Sequence, residues 1–165
     1  MLTTMEVNRV WERMVEAETR SMYFADLASR YTKRKQFLNA TVFFLTSGAA
    51  ATIYAKQADW VPILASSAAA IITAYQVAFN LDKLIASLVK LHLLWNELHC
   101  DSERLWQHCY EEDAERVRDD IQRRSRQASE LGTEMPYNRK LLRKWEDQVN
   151  AQYAGQANAA AAVTK

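Results

Sequence analysis

Two stretches without a charged residue, Phe37 to Ala55 and Trp60 to Leu81, stand four residues apart in the middle of the chain. Their 19 and 22 residues match the roughly 20 that a helix needs to cross the hydrocarbon core of a bilayer. The residues between them, Lys56-Gln57-Ala58-Asp59, can join only antiparallel neighbours, so the pattern predicts a helical hairpin. Asp59 is placed to cap the second span, and Pro62 falls in its first turn, where a missing N–H does little harm. Buried helices of a soluble bundle are the competing expectation, although a surface helix of that length would carry a polar face. The mean hydropathy of -0.33 hides the pattern, because charged flanks surround it.

Basic residues nearest the spans set orientation, and Arg30, Lys33, Arg34 and Lys35 immediately precede the first one. That side is expected in the cytoplasm. The connecting loop balances Lys56 with Asp59 and is flanked by Tyr54 and Trp60, as interfacial aromatics should be. A multi-pass protein of the bacterial inner membrane with both termini inside follows. The first twenty residues mix Glu and Arg around no apolar core, unlike a secretory signal. With 21 basic and 20 acidic residues the chain has no basic field for nucleic acid, and no such partner is expected. Cys100 and Cys109 fall in a stretch assigned to the cytoplasm, where thiols stay reduced.

Two prolines and three glycines leave little turn chemistry for strands, so the flanks read as helices. Val7, Val10, Trp11, Met14, Ala17, Ser21, Phe24, Ala28 and Tyr31 recur at threes and fours, as do Leu81, Leu84, Leu88, Leu91, Trp95, Leu98, Ser102 and Leu105. The second span is expected to run straight into a long helix; from Leu81 to Leu131 it would reach roughly 75 Å, with a break possible near the acidic run at 111–115. Within and beyond that run, i,i+4 pairing of Glu112 with Arg116, Asp119 with Arg123 and Asp120 with Arg124 suits a solvated helix. Gly132 and Pro136 end it, and Leu142, Trp145, Val149 and Tyr153 mark a last amphipathic helix that should fold back onto the others. The fold class is an all-α membrane protein: a transmembrane hairpin with long cytoplasmic amphipathic helices forming a bundle. Residues 1–35 form an amphipathic helix with a basic flank, 36–81 the hairpin, 82–153 a cytoplasmic helical region and 154–165 a flexible tail or a helix end that frays.

Two stripes carry the functional expectations. Leu84, Leu88, Leu91, Trp95, Leu98 and Leu105 present more apolar surface than two short helices comfortably cover, which predicts self-association, with cover by the first and last helices as the alternative. In the second span Ser66, Ala69, Thr73, Gln76 and Asn80 fall within an arc of roughly 80°, opposite Leu64, Ile71, Tyr75 and Phe79. This polar stripe is either the wall of an aqueous path in an oligomer or a seam against the first span, where Gly48 and Thr52 have small-xxx-small spacing. Gln76, the longest amide, decides between them.

No chemistry is legible. His99-Cys100 and His108-Cys109 are separated by about 13 Å along one helix and point to opposite sides, while His92 and His99 are about 10.5 Å apart, so neither set closes on one metal ion. Arg104-Leu105-Trp106-Gln107-His108 is similar to the Arg–His pair of HEPN-type ribonucleases, but more closely spaced than in that family. Phosphate loops, Ser-His-Asp sets and zincin motifs are missing, so neither an enzyme nor a cofactor is expected.

An amphipathic helix, the basic stretch RYTKRK, two close spans and the long helix within AYQVAFNLDKLIASLVKLHLLWNELHCDSERLW together resemble the SLATT family over most of residues 5 to 153. The likeness is one of topology, as that family has no catalytic motif. It implies a membrane effector of bacterial anti-phage systems that forms pores or disrupts the inner membrane when a partner signals infection. With no nucleotide-sensing domain recognisable in the chain, a separate sensor is implied. A membrane-anchored helical scaffold is the alternative, and a phage holin a lesser one.

Overall fold

The computed structural model describes residues 2–54 and 60–163, and their side chains except at 49, 51–54 and 156–163. The 56–59 loop with its Asp59 cap, and the Tyr54 and Thr52 side chains, lie outside the described residues. Over the described residues the chain is all-helical: α1 (Thr4–Tyr54), α2 (Trp60–Ala78), α3 (Leu81–Gln107), α4 (Ala114–Thr133) and α5 (Arg139–Val163), with no strand. It divides into two compact units, Met1–Asp26 with Leu88–Lys165, and Leu27–Ser87. The basic cluster 30–35 therefore groups with the charge-free stretches, where the sequence boundary was drawn at 35/36.

In the first unit the helices run up, down, up, down. His99 Nδ1 lies 3.2 Å from the Met14 carbonyl oxygen, His92 Nδ1 lies 3.0 Å from that of Ser21, and the Trp11 and Trp106 rings are 5.3 Å apart. Numbers rise along α1 as they fall along α3, so the two are antiparallel. Arg118 of α4 pairs with Glu6, and a Cβ at Gly132 would sit 3.5 Å from the Phe24 ring, which sets α4 parallel to α1. Returning along them, α5 donates Trp145 Nε1 to Asp26 at 3.3 Å and packs Tyr153 on Trp11 at 5.0 Å.

The core follows the rhythm of threes and fours. Val10, Met14, Ala17, Ser21 and Phe24 are buried on α1, and Leu88, Leu91, Trp95, Leu98, Ser102 and Leu105 on α3; α4 adds Ala114, Ile121 and Ala128 at intervals of seven. Two of these three are alanines, and at Gly132 a Cβ would come within 3.5 Å of the Phe24 ring.

Chain ends and links are tied by side chains. Thr3 and Glu6 form a capping box at the start of α1: Thr3 N and Oγ1 both donate to Glu6 Oε2 at 2.9 Å, and the Glu6 N–H returns to Thr3 Oγ1. Tyr23 holds the α4–α5 link, its hydroxyl donating to the Pro136 carbonyl at 3.3 Å and accepting from the Asn138 N–H at 3.0 Å, while Asn138 Oδ1 caps Leu141 N. The helix from Leu81 to Leu131 breaks once, near the acidic run where the sequence allows it, and a second break interrupts the expected run-on from the second span. At 108–113 the exposed Glu111, Glu112 and Asp113 sit in the turn between α3 and α4, immediately before the N-terminus of α4, which negative charge favours. Of the expected ladder, Asp120 pairs with Arg124 at 2.9 Å and also with Arg123, while Arg124 reaches across to Asp101 and Glu97. Helix α5 continues past Ala154 to Val163, which is the helix-end alternative over these residues.

In the second unit, the part of α1 after Asp26 lies beside α2. The Arg34 guanidinium carbon stands 5.4 Å from the Tyr75 ring centroid, and Lys35 is ion-paired with Asp82. The second break falls here, at Phe79–Asn80. Asn80 has φ 45°, in the left-handed region that asparagine tolerates better than most side chains, and its carbonyl accepts the Leu84 N–H at 3.1 Å to start α3.

Candidate functional site

Large apolar side chains of the second unit face outward. Phe37 is 72% exposed, Phe44 72%, Ile63 62%, Ile71 70%, Val77 74% and Phe79 61%, while Ala69 is the one buried side chain described on α2. Among the described residues one helix, Trp60–Ala78, is long and apolar enough to cross a membrane. The stretch from Phe37 is carried within the longer α1, and its end at Ala55 lies outside the described residues.

Hydroxyls on these segments close on their own helices. Ser66 and Ser67 both donate to the Ile63 carbonyl, at 3.0 and 2.8 Å, Thr73 to Ala69 at 2.9 Å, and Thr46 to Val42 at 2.9 Å. Such back-bonding satisfies a hydroxyl without a partner helix. Ser66 and Thr73 therefore direct their hydroxyl protons to α2 itself, and Asn80 belongs to the turn through its backbone. Gln76 differs: its half-buried side chain carries Nε2 out of solvent with no hydrogen-bond partner. Gly48 also departs from expectation, because a Cβ there would meet nothing within 4 Å, so no close backbone crossing uses it. The small-xxx-small spacing permits an approach that this chain does not make, and the Thr52 side chain is outside the described set.

The leucine stripe is corrected as a self-association surface. Leu88 is 0% exposed, Leu91 and Trp95 2%, Leu98 3% and Leu105 4%, with Leu84 half-buried. Within the first unit Arg20 covers the Trp95 ring at 4.8 Å and His92 meets both the hydroxyl and carbonyl of Ser21. The alternative cover by the first helix is the one realised.

A cavity of about 700 Å³ opens in the first unit between α1, the end of α4 and α5, lined by Glu16, Tyr23, Phe24, Pro136, Leu142 and Glu146 among others. Glu16 is engaged by Arg20 at 2.7 Å. Beyond this cavity, burial pushes the Tyr153 hydroxyl well above its ordinary range, helped by its hydrogen bond to Glu18. Among the described residues no three His, Cys, Asp or Glu side chains gather to hold a metal. Arg104 and His108 are both exposed, and His108 Nδ1 turns back to the Arg104 carbonyl at 3.0 Å. Cys100 is exposed and Cys109 buried, each a free thiol. Comparison of the chain with protein-family models, with curated proteins and with solved structures gives no match.

Proposed function

We propose that residues 36–81 insert in the bacterial inner membrane as a two-span hairpin, with both termini cytoplasmic, and that the chain acts as an oligomeric pore-forming or membrane-disrupting effector of the SLATT type, released by a separate sensor during phage infection. The observation that carries the reading is the outward-facing apolar surface on two charge-free helical segments. Core helices of a soluble bundle would bury those side chains; hydrocarbon is the solvent that suits them. Backbone polar groups are satisfied inside each helix, and the hydroxyls are satisfied by back-bonding, so the segments offer lipid little that is polar.

Gln76 supports the pore in particular. Its Nε2 is covered by the chain's own atoms and lacks an acceptor, a cost that turning the amide outward to water in a central path or to a carbonyl of another copy would relieve. With the leucine stripe closed inside the first unit, assembly falls to the membrane segments. Induced expression in bacteria with a membrane-potential dye tests this: depolarisation is expected, lost in Gln76→Leu with expression and oligomer size preserved, and changed in ion preference in Gln76→Glu. A second reading, a membrane anchor that holds a partner on its first unit, draws on the burial of that stripe and on the 700 Å³ cavity. An anchor leaves the potential unchanged.

A further inference from the structure

Every charge described in the second unit lies at one end of it. Arg30, Lys33, Arg34 and Lys35 stand on α1 and Asp82 and Lys83 on α3, and the Lys35–Asp82 pair brings the two groups together. Segments 36–54 and 60–81 carry none. Lys33, Arg34, Lys35 and Lys83 thus stand around Asp82, which Lys35 already engages. Lys33, Arg34 and Lys83 are exposed. Arg34 is held against the Tyr75 ring, a contact that positions the guanidinium without neutralising it. Immediately beyond this collar, Phe37 and Phe79 are 72% and 61% exposed.

We infer that the collar is a binding site for anionic phospholipid, taking the phosphate headgroup on Lys33, Arg34 and Lys83 while the acyl chains lie along Phe37 and Phe79. The inference rests on the membrane reading above. Guanidinium offers a fork of donors to a phosphate and the two ammonium groups add point charge. A soluble phosphate would use the cations alone; the exposed aromatic rings next to them favour a phosphate attached to hydrocarbon. Each basic group beside an anionic headgroup layer is worth about fivefold in association.

The test is electron paramagnetic resonance of the full chain reconstituted in phosphatidylcholine bilayers with trace spin-labelled phosphatidylglycerol or phosphatidylcholine. A several-fold preference for labelled phosphatidylglycerol is expected at low salt, falling as salt rises. The triple variant K33Q/R34Q/K83Q should lose it, the charge-conserving K33R/R34K/K83R should keep it, and D82N, which frees Lys35, should raise it. Equal association of both lipids, or a preference that survives the triple neutralisation, overturns the inference. Displacement of the label by soluble glycerophosphoglycerol also overturns it, assigning the site to free phosphate. A chain that fails to incorporate into the bilayer defeats the membrane reading as well, whereas incorporation without headgroup preference removes the collar site alone.

Discussion

Arg34 of α1 stands over Tyr75 of α2 with 5.4 Å between guanidinium carbon and ring centroid, one residue from the Lys35–Asp82 ion pair. These two contacts join the helices of the second unit at their charged end. Asp82 is 77% exposed and Lys35 31%, so water screens the pair. A double-mutant cycle of Lys35→Gln and Asp82→Asn, read by thermal unfolding in detergent, should give a coupling below about 1 kcal/mol. A coupling of several kcal/mol would mean that the pair is far drier than its exposure indicates.

The leucine stripe should behave as core. Leu88→Ala, at 0% exposure, is expected to cost about 2–5 kcal/mol, while Leu93→Ala, at 59%, should change stability little. Leu91→Asp with Leu98→Asp should unfold the first unit, seen as lost helical circular dichroism. A folded chain that only changes its oligomer size would put the stripe back between copies.

Glu6 makes stability depend on pH. The Thr3 N–H holds its carboxyl below the ordinary carboxylate range, followed by the Thr3 hydroxyl, with Arg118 adding to both. A depressed folded value means that the contribution is present above the ordinary carboxylate range and is lost as pH falls through the depressed one. Melting temperatures of the wild type should therefore exceed those of Glu6→Gln at neutral pH, and the gap should narrow as pH falls below the ordinary carboxylate range and close once it passes the depressed value. Thr3→Ala, which removes the cap hydroxyl, should cost about 1 kcal/mol.

Asn80 reads out the turn between α2 and α3. Asn80→Gly should fold as the wild type does, since glycine is at home at φ 45°, whereas Asn80→Val should cost roughly 1–2 kcal/mol or more. Equal stability of the two variants would contradict a left-handed residue at this position.

Periodicity revealed which faces are apolar: Val10, Met14, Ala17, Ser21, Phe24 and Ala28 on α1 and Leu88 to Leu105 on α3 are buried where the threes and fours put them, while Val7, Trp11 and Tyr31 stay half-buried and Thr19, Tyr23 and Leu27 are buried outside the stripe. It did not say what covers them, because a stripe closed by the same chain and one closed by a second copy have the same spacing. Gly48 failed for a related reason: small residues permit a close approach without supplying a partner. Neither break in the long helix carries Gly or Pro; one rests on clustered carboxylates that suit the start of a helix and the other on the left-handed tolerance of asparagine. Thr3-x-x-Glu6 was a legible capping signal that the amphipathic pattern overshadowed. Gln76 stood out by type and place, but its missing partner appears only in three dimensions.

Alkaline carbonate extraction of bacterial membranes tests the central claim most directly, because it strips peripheral proteins and leaves spanning helices in place. The full chain should stay in the membrane pellet, with a cysteine introduced at Gln57 labelled from outside by an impermeant thiol reagent. Recovery of the chain in the soluble fraction would contradict insertion of residues 36–81 and the pore built on it.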